Sequence, residues 1–174
     1  VEWGYTGDTG PEHWGDLSPR YRLCNTGKRQ SPIDIAAAAP ADLGGIVYDY
    51  RDTPLAVVNN GHAIQVNVQT DSFIKVNGEI YKSLQFHFHS PSETTRNGSA
   101  YAMEAHLVHE NSGGQLAVVS VFMKEGKTNP LLRTILEYLP GDIGDEIDSP
   151  DVRINAAGLL PGDGAYFYFE GSFT

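Results

Sequence analysis

The sequence predicts a mainly β protein with a central, mostly antiparallel twisted sheet, few short helices and an irregular N-terminal segment. From about residue 46 onward, runs of β-branched and aromatic residues dominate. The dipeptides Asn60-Gly61 and Asn77-Gly78 lie between such runs, and Asn-Gly favours tight hairpins because both residues tolerate positive φ. Helical periodicity is good only over residues 129–139. Together these three observations indicate antiparallel strands with little helix.

The first 45 residues are rich in Gly, Pro and other turn formers and have little periodicity. We expect irregular structure there, held by Trp3, Tyr5 and Trp14. The strands that follow are predicted at Leu55–Val58, Ala63–Val68, Phe73–Val76, Ile80–His89, Tyr101–His109 and Leu116–Met123.

The C-terminal third contains the helix candidate. Asn129 can cap this helix, Pro130 suits its first turn, and an apolar stripe follows. Residues 140–164 are predicted to be an acidic, Gly-rich and Pro-rich loop, and Ala165–Phe169 to be a last strand.

Composition limits the possible functions. The 174 residues, 40% of them hydrophobic, suffice for a substantial core, and we expect a single domain over residues 1–174. No apolar run is long enough to cross a bilayer, so no membrane insertion is expected. The formal net charge of −10 argues against nucleic acid, because phosphate binding needs clustered Lys and Arg. A neutral or cationic small ligand fits better.

The N-terminus and the cysteine give information on the cellular compartment of the protein. The chain begins at Val1 without an initiator Met or a leader, which indicates a mature secreted form or a trimmed fragment. Its one cysteine, Cys24, indicates either a buried thiol or a disulfide partner that this chain lacks.

Histidines form the main chemical signal. In Gln85-Phe86-His87-Phe88-His89 polar and aromatic residues alternate, so in a strand both imidazoles point to one face of the sheet. A third histidine, His106, lies in the segment from Met103 to His109 and shares a face with Glu104.

A hairpin would bring the two segments together. If Asn97-Gly98 forms a two-residue loop, His89 faces His106 directly and His87 is its diagonal neighbour. Three imidazoles on one sheet face match a tetrahedral zinc site with three protein ligands and one open position, which is typical of catalytic zinc. A bulge near Pro91 would shift this register, and ordinary strand histidines are the alternative interpretation.

Two polar residues are placed to orient these imidazoles. Metal-bound histidines usually donate their second ring N–H to a carboxylate, carbonyl or amide oxygen. Gln85 precedes His87 by two residues and Glu104 precedes His106 by two, so each shares a face with its histidine.

These blocks, with Ser92-Glu93 between them, resemble the zinc-binding core of the α-class carbonic anhydrases of the bacterial, secreted type. The resemblance covers essentially the whole chain. It extends in the family's order to Trp3-Gly4-Tyr5, Gly10-Pro11-Glu12-His13-Trp14, Arg29-Gln30-Ser31-Pro32-Ile33-Asp34-Ile35, Asn59-Asn60-Gly61-His62 and Gly171-Ser172-Phe173-Thr174.

The resemblance implies a zinc enzyme that hydrates carbon dioxide reversibly to bicarbonate and a proton by means of zinc-bound hydroxide. Sulfonamides and other anions are its implied inhibitors. His87, His89 and His106 would be the zinc ligands. Thr174 would orient the hydroxide while donating a hydrogen bond to Glu93, and His62 would be the proton shuttle. The polar side of the cleft would be lined by Tyr5, Asn60 and Gln85. The carbon dioxide pocket would be lined by Val108, Val118 and Phe173.

The sequence also departs from the family pattern. The family domain continues after the position of Thr174 with further strands, so we expect a C-terminally incomplete fold. Such a chain is either a fragment or is completed by a second chain or a homodimer. Cys24 is similar to a cysteine that pairs just beyond this end in secreted bacterial members. This similarity implies a periplasmic or secreted protein.

Two other interpretations remain at this stage. His87, His89 and Glu93 also resemble the first motif of the cupins, which hold iron or manganese, although the third histidine is not in a glycine-rich second cupin motif. A zinc-binding module without catalytic activity is the other. We expect His13 and His109 to make structural hydrogen bonds rather than to bind metal.

Overall fold

The computed structural model describes residues 2–171. The chain forms two compact units. The N-terminal unit contains the residues up to 38, residues 94–99 and those from 167 onward, and the sheet unit contains residues 39–93 and 100–166. The expectation of one domain over residues 1–174 remains a prediction. No helix within residues 2–171 is long and apolar enough to span a membrane.

The N-terminal unit is irregular, as the sequence predicts. Over residues 2–38 its elements are short 3₁₀ turns and two one-turn helices, α1 (Trp14–Leu17) and α2 (Leu23–Thr26). The Trp14 indole N–H donates to Gly4 O at 2.9 Å and to Thr9 O at 3.0 Å. The ring of Trp14 also contacts Trp3 at 5.3 Å and Tyr5 at 5.8 Å between centroids. The three predicted aromatic residues therefore hold this segment.

Strands provide the main architecture. Their bounds are β1 (Val47–Asp49), β2 (Thr53–Asn59), β3 (Ile64–Asn67), β4 (Phe73–Val76), β5 (Glu79–His89), β6 (Thr95–Arg96), β7 (Ser99–Ala100), β8 (Met103–Glu110), β9 (Leu116–Met123) and β10 (Glu146–Ile154). Among the described residues, β6 pairs with β7 and the other eight strands form one sheet. The long strand β5 pairs with β3, β4 and β8, β9 follows β8, and every named pairing is antiparallel.

One face of this sheet carries the core. The helix α3 (Pro130–Glu137) packs its buried Leu131 and Ile135 there, and Asn129 caps it by accepting a hydrogen bond from the Leu132 N–H at 3.1 Å. The predicted cap and stripe are confirmed. The buried core residues are Leu55, Val57, Val66, Phe86, Phe88, Ala105, Leu107, Val121, Leu131, Ile135, Ile154, Ala156 and Leu159.

The Asn-Gly turns behave as hairpin signals. Asn77 and Gly78 have φ of 49° and 88° and are the two residues between β4 and β5, as the type I′ geometry requires. The turn at residues 60–63 is longer, since β2 ends at Asn59 and β3 begins at Ile64.

Two predictions from the C-terminal third are wrong. Residues 146–154 form the strand β10 rather than loop, and Pro150 lies where the pairing with β2 is interrupted, between Ser149 and Arg153. Acidic residues and a proline are tolerated in such an edge strand, and they obscure the strand pattern in the sequence. Ala165–Phe169 is not a strand, because it pairs with no strand in the part of the chain described here. Apolar composition alone does not supply a hydrogen-bonding neighbour.

His109 makes the structural hydrogen bonds expected of it. Its ring is fully buried, its Nδ1–H donates to Ala117 O at 3.2 Å, and its Nε2 accepts from the Tyr50 hydroxyl at 2.9 Å. Burial lowers the pKa of His109 from 6.5 to about 4. The folded protein therefore holds this imidazole neutral at pH values where the unfolded chain protonates it.

We predict that this histidine contributes to acid sensitivity. Between pH 6.5 and about 4 the unfolded chain binds a proton that the folded state excludes, so the free energy of unfolding falls as pH falls, by about 3 kcal/mol from this group. Denaturant titrations at pH 7.5 and 4.5 should show a smaller loss for His109→Gln than for wild type. Equal losses in the two proteins would contradict the assignment.

Candidate metal centre

The strand register aligns the histidines on one face of the sheet. His87 of β5 lies directly opposite His106 of β8, and His89 lies opposite Glu104. Residues that face each other across an antiparallel pair point to the same side. All three imidazoles therefore lie on the face opposite to Phe86 and Phe88, which enter the core.

The predicted register is wrong by two residues. The sequence predicts His89 opposite His106, whereas His87 holds that position. Residues 90–94 join β5 to β6 while only residues 101 and 102 join β7 to β8, so the Asn97-Gly98 turn does not fix the pairing of the longer strands. Because side chains alternate with a period of two, a two-residue shift keeps every histidine on its predicted face.

The three imidazoles converge on one point. One ring nitrogen from each of His87, His89 and His106 lies within 4.8 Å of the others. Their ring centroids are 5.0, 5.2 and 4.8 Å apart. The side chains of His89 and His106 are almost covered, at 11% and 12% exposed. This spacing can hold a single metal ion.

A hydrogen bond to one ring and an ion-pair contact to another indicate which nitrogen of each ring faces the centre. The Nδ1 of His87 lies 2.9 Å from Gln85 Oε1, and the Nε2 of His106 lies 3.2 Å from Glu104 Oε1. An amide oxygen and a carboxylate only accept, so these ring nitrogens carry the protons. The lone pairs of His87 Nε2 and His106 Nδ1 are thereby left for a metal.

Burial favours the neutral form that metal binding requires at His87 and His89. Burial lowers the pKa of His87 to about 4, assisted by repulsion from His106 and His89. Burial also lowers the pKa of His89, although the carboxylate of Glu93 opposes that shift. Neutral imidazoles coordinate metals without first losing a proton. Three imidazole nitrogen donors in this arrangement fit zinc.

Glu93 adds a negative charge at the same place. Its Oε2 lies 3.1 Å from His89 Nε2 and 3.8 Å from His106 Nδ1. The Glu93 side chain is 18% exposed, so its charge is only partly screened by water. A carboxylate at this position favours a cation among the histidines.

The other predicted residues occupy different places. Val108 faces Gln85 in the register, and Val118 faces Val108, so this row lies beside the histidines on the same face. Asn60 and His62 belong to an exposed turn in the sheet unit. Tyr5 belongs to the N-terminal unit. Phe173 and Thr174 lie outside the described residues, and their roles stay predictions.

The sequence analysis did not identify the polar residues Gln65 and Asn67 on β3 as neighbours of the histidines. Gln65 faces His87 across the sheet and Asn67 faces Gln85. Gln65 donates to Asn67 Oδ1 at 2.7 Å and accepts from Asn60 Nδ2 at 3.3 Å. The signal was the alternation Ile64-Gln65-Val66-Asn67, which marks one polar face but does not say which strand that face meets.

The sheet and its converging imidazoles define a β protein with a candidate three-histidine metal site. Residues 9–174 match the family model of the eukaryotic-type carbonic anhydrases. A carbonic anhydrase of Nostoc sp. (strain PCC 7120) is 41% identical over 100% of this chain and 68% of its own length. One from Neisseria gonorrhoeae is 42% identical over 100% of this chain and 69% of its own.

Solved structures agree with this assignment. The α-carbonic anhydrase of Thermovibrio ammonificans, in complex with the inhibitor sulfanilamide, superposes with a TM-score of 0.94 at 43% identity, over 100% of this chain and 77% of that one. The chain belongs to the carbonic anhydrase family, whose members include enzymes of that name. The mainly β fold is confirmed, and the cupin interpretation is wrong.

We predict that removing the groups behind the histidines weakens zinc binding. Gln85→Ala and Glu104→Ala should each raise the zinc dissociation constant about 10- to 100-fold, because the imidazole then loses its fixed tautomer. Competition with a chromophoric chelator at pH 7.5 measures the constant. Asn67→Ala is the matched control, since Asn67 lies on the same face but bonds to Gln65 rather than to a histidine. Unchanged affinity in the first two variants would refute the assigned roles.

Proposed function

We propose that the chain binds one zinc ion through His87, His89 and His106 and catalyses the reversible hydration of carbon dioxide to bicarbonate and a proton. The proposal rests on the convergence of three imidazoles, two of which have their tautomers set by Gln85 and Glu104. When bound, zinc lowers the pKa of a water molecule to about 7 and so supplies hydroxide at neutral pH.

The protein's own groups then have distinct tasks. Gln85 and Glu104 keep two donor lone pairs aimed at the metal position. Glu93, whose carboxylate lies against His89 and His106, accepts a hydrogen bond from the Thr174 hydroxyl in this proposal, which orients the attacking oxygen. Family membership supports that assignment.

The substrate approaches over an apolar surface. Val108 is buried and Val118 is partly exposed, and both lie in the row beside His87 and His106. Carbon dioxide has no charge and little polarity, so aliphatic side chains suit it better than polar ones. Tyr5, Asn60 and Phe173 complete the proposed cleft.

The product proton must leave for the solvent. His62 is an exposed side chain in the turn between β2 and β3, where it can exchange protons with buffer. Histidine is the side chain whose charge ordinarily changes between pH 5 and 8. We therefore assign His62 as the proton shuttle.

The proposal also covers ligands, compartment and assembly. The Thermovibrio ammonificans enzyme was solved with sulfanilamide, and we propose that sulfonamides and other anions occupy the open metal position here too. A periplasmic or secreted bacterial location, a disulfide at Cys24, and completion by a homodimer or a complementing chain also belong to the proposal.

Stopped-flow hydration of carbon dioxide tests this function. The zinc-loaded protein should hydrate carbon dioxide, lose the activity on chelation, regain it with zinc, and be blocked by sulfanilamide. The control His106→Ala, which lacks one donor, should remain at the buffer rate. Tight zinc binding with hydration no faster than this control would instead favour a zinc-binding module without catalysis.

A further inference from the structure

The turn that carries His62 has its backbone fixed from within. The Asn60 N–H donates to Ala63 O at 3.2 Å. The Asn60 side-chain Oδ1 accepts from the His62 N–H at 3.0 Å and from the Ala63 N–H at 2.8 Å. Gly61 has φ of 87°, which favours glycine. Asn60 therefore shapes the His62 turn through its backbone.

A second turn, residues 142–145, is also closed on itself. The Asp145 N–H donates to Asp142 O at 3.2 Å, and the Asp142 N–H donates to Asp145 Oδ2 at 3.3 Å. Gly144 has φ of 90°. Ile143 lies at the tip of this turn with 76% of its surface exposed. So exposed an aliphatic side chain contributes little to the core.

The two turns are joined. The Gly144 N–H donates to Asn59 O at 2.7 Å, and the Asn59 N–H donates to Asp145 O at 3.1 Å. A Cβ placed on Gly61 would lie only 3.0 Å from Ile143 Cγ2. Ile143 therefore packs directly on the backbone beside His62. This exposed side chain therefore contacts the His62 turn.

We propose that Ile143 is a positioning residue for proton transfer, acting by pressing its Cγ2 methyl on Gly61 and so restricting the turn that carries His62. This role rests on the proposed function, in which His62 carries the proton to solvent. Proton transfer depends on the relative positions of donor and acceptor, and small displacements reduce its rate strongly. Without the contact from Ile143, the His62 turn would sample positions in which the imidazole cannot take up the proton.

The chain offers matched variants. Ile143→Ala removes the methyl over Gly61, whereas Ile143→Val keeps a Cγ2 methyl. Ile80→Ala removes the same atoms from another exposed isoleucine, located on β5 and 52% exposed. His62→Ala supplies the reference signature of a lost shuttle.

Kinetics at low buffer concentration give the first readout. Ile143→Ala should lower kcat about three- to tenfold and leave kcat/KM for carbon dioxide unchanged, because the hydration step is untouched. A small imidazole buffer should restore kcat, as it should for His62→Ala. Ile143→Val and Ile80→Ala should match wild type. A parallel fall in kcat/KM, or a loss that imidazole does not restore, would overturn the proposal.

Amide hydrogen exchange gives a readout that needs neither zinc nor activity. The amides of His62 and Gly144 should exchange about tenfold faster in Ile143→Ala and unchanged in Ile80→Ala. Unchanged exchange in Ile143→Ala would refute the claim that Ile143 restrains the turn. Faster exchange with unaltered kcat would refute its role in proton transfer. Inactive zinc-loaded wild type would refute the proposed function, while exchange would still report whether Ile143 restrains the turn.

Discussion

The metal centre depends on the antiparallel register between β5 and β8. This register places His87 opposite His106 and His89 opposite Glu104. A slip of one residue would turn the imidazoles into the core and expose Phe86 and Phe88 to water. Burial of each phenylalanine contributes about 1.5–3 kcal/mol, so the hydrophobic core enforces the arrangement of the opposite, polar face.

Burial of the Glu104 carboxylate at this site lowers the stability of the fold unless the charge is paired. The Glu104 side chain has no exposure to solvent, and a carboxylate in such surroundings is destabilising unless it is paired. The imidazole of His106, 3.2 Å away, provides a partner. The same contact sets the tautomer of His106. One buried interaction therefore offsets a desolvation cost and leaves the Nδ1 lone pair of His106 directed at the candidate metal site.

Local patterns in the sequence predicted much of this structure. Period-two alternation placed His87, His89 and His106 on one face, and this result survived a wrong register because the error was even. Pairings between distant segments were not predictable in this way. The strand β10 was hidden by its acidic residues and Pro150, and residues 165–169 have strand-like composition without a neighbour to pair with. The contact of Ile143 with Gly61 joins residues far apart in sequence, and no local pattern marks it.

The most direct test is a crystal structure of the zinc-loaded protein with diffraction recorded at the zinc absorption edge. We predict one anomalous peak among the three imidazoles, about 2.0–2.1 Å from each bound nitrogen. Nε2 of His87 and Nδ1 of His106 should be two of these nitrogens. A peak elsewhere on the protein, no peak, or coordination through the nitrogens that face Gln85 and Glu104 would contradict this prediction.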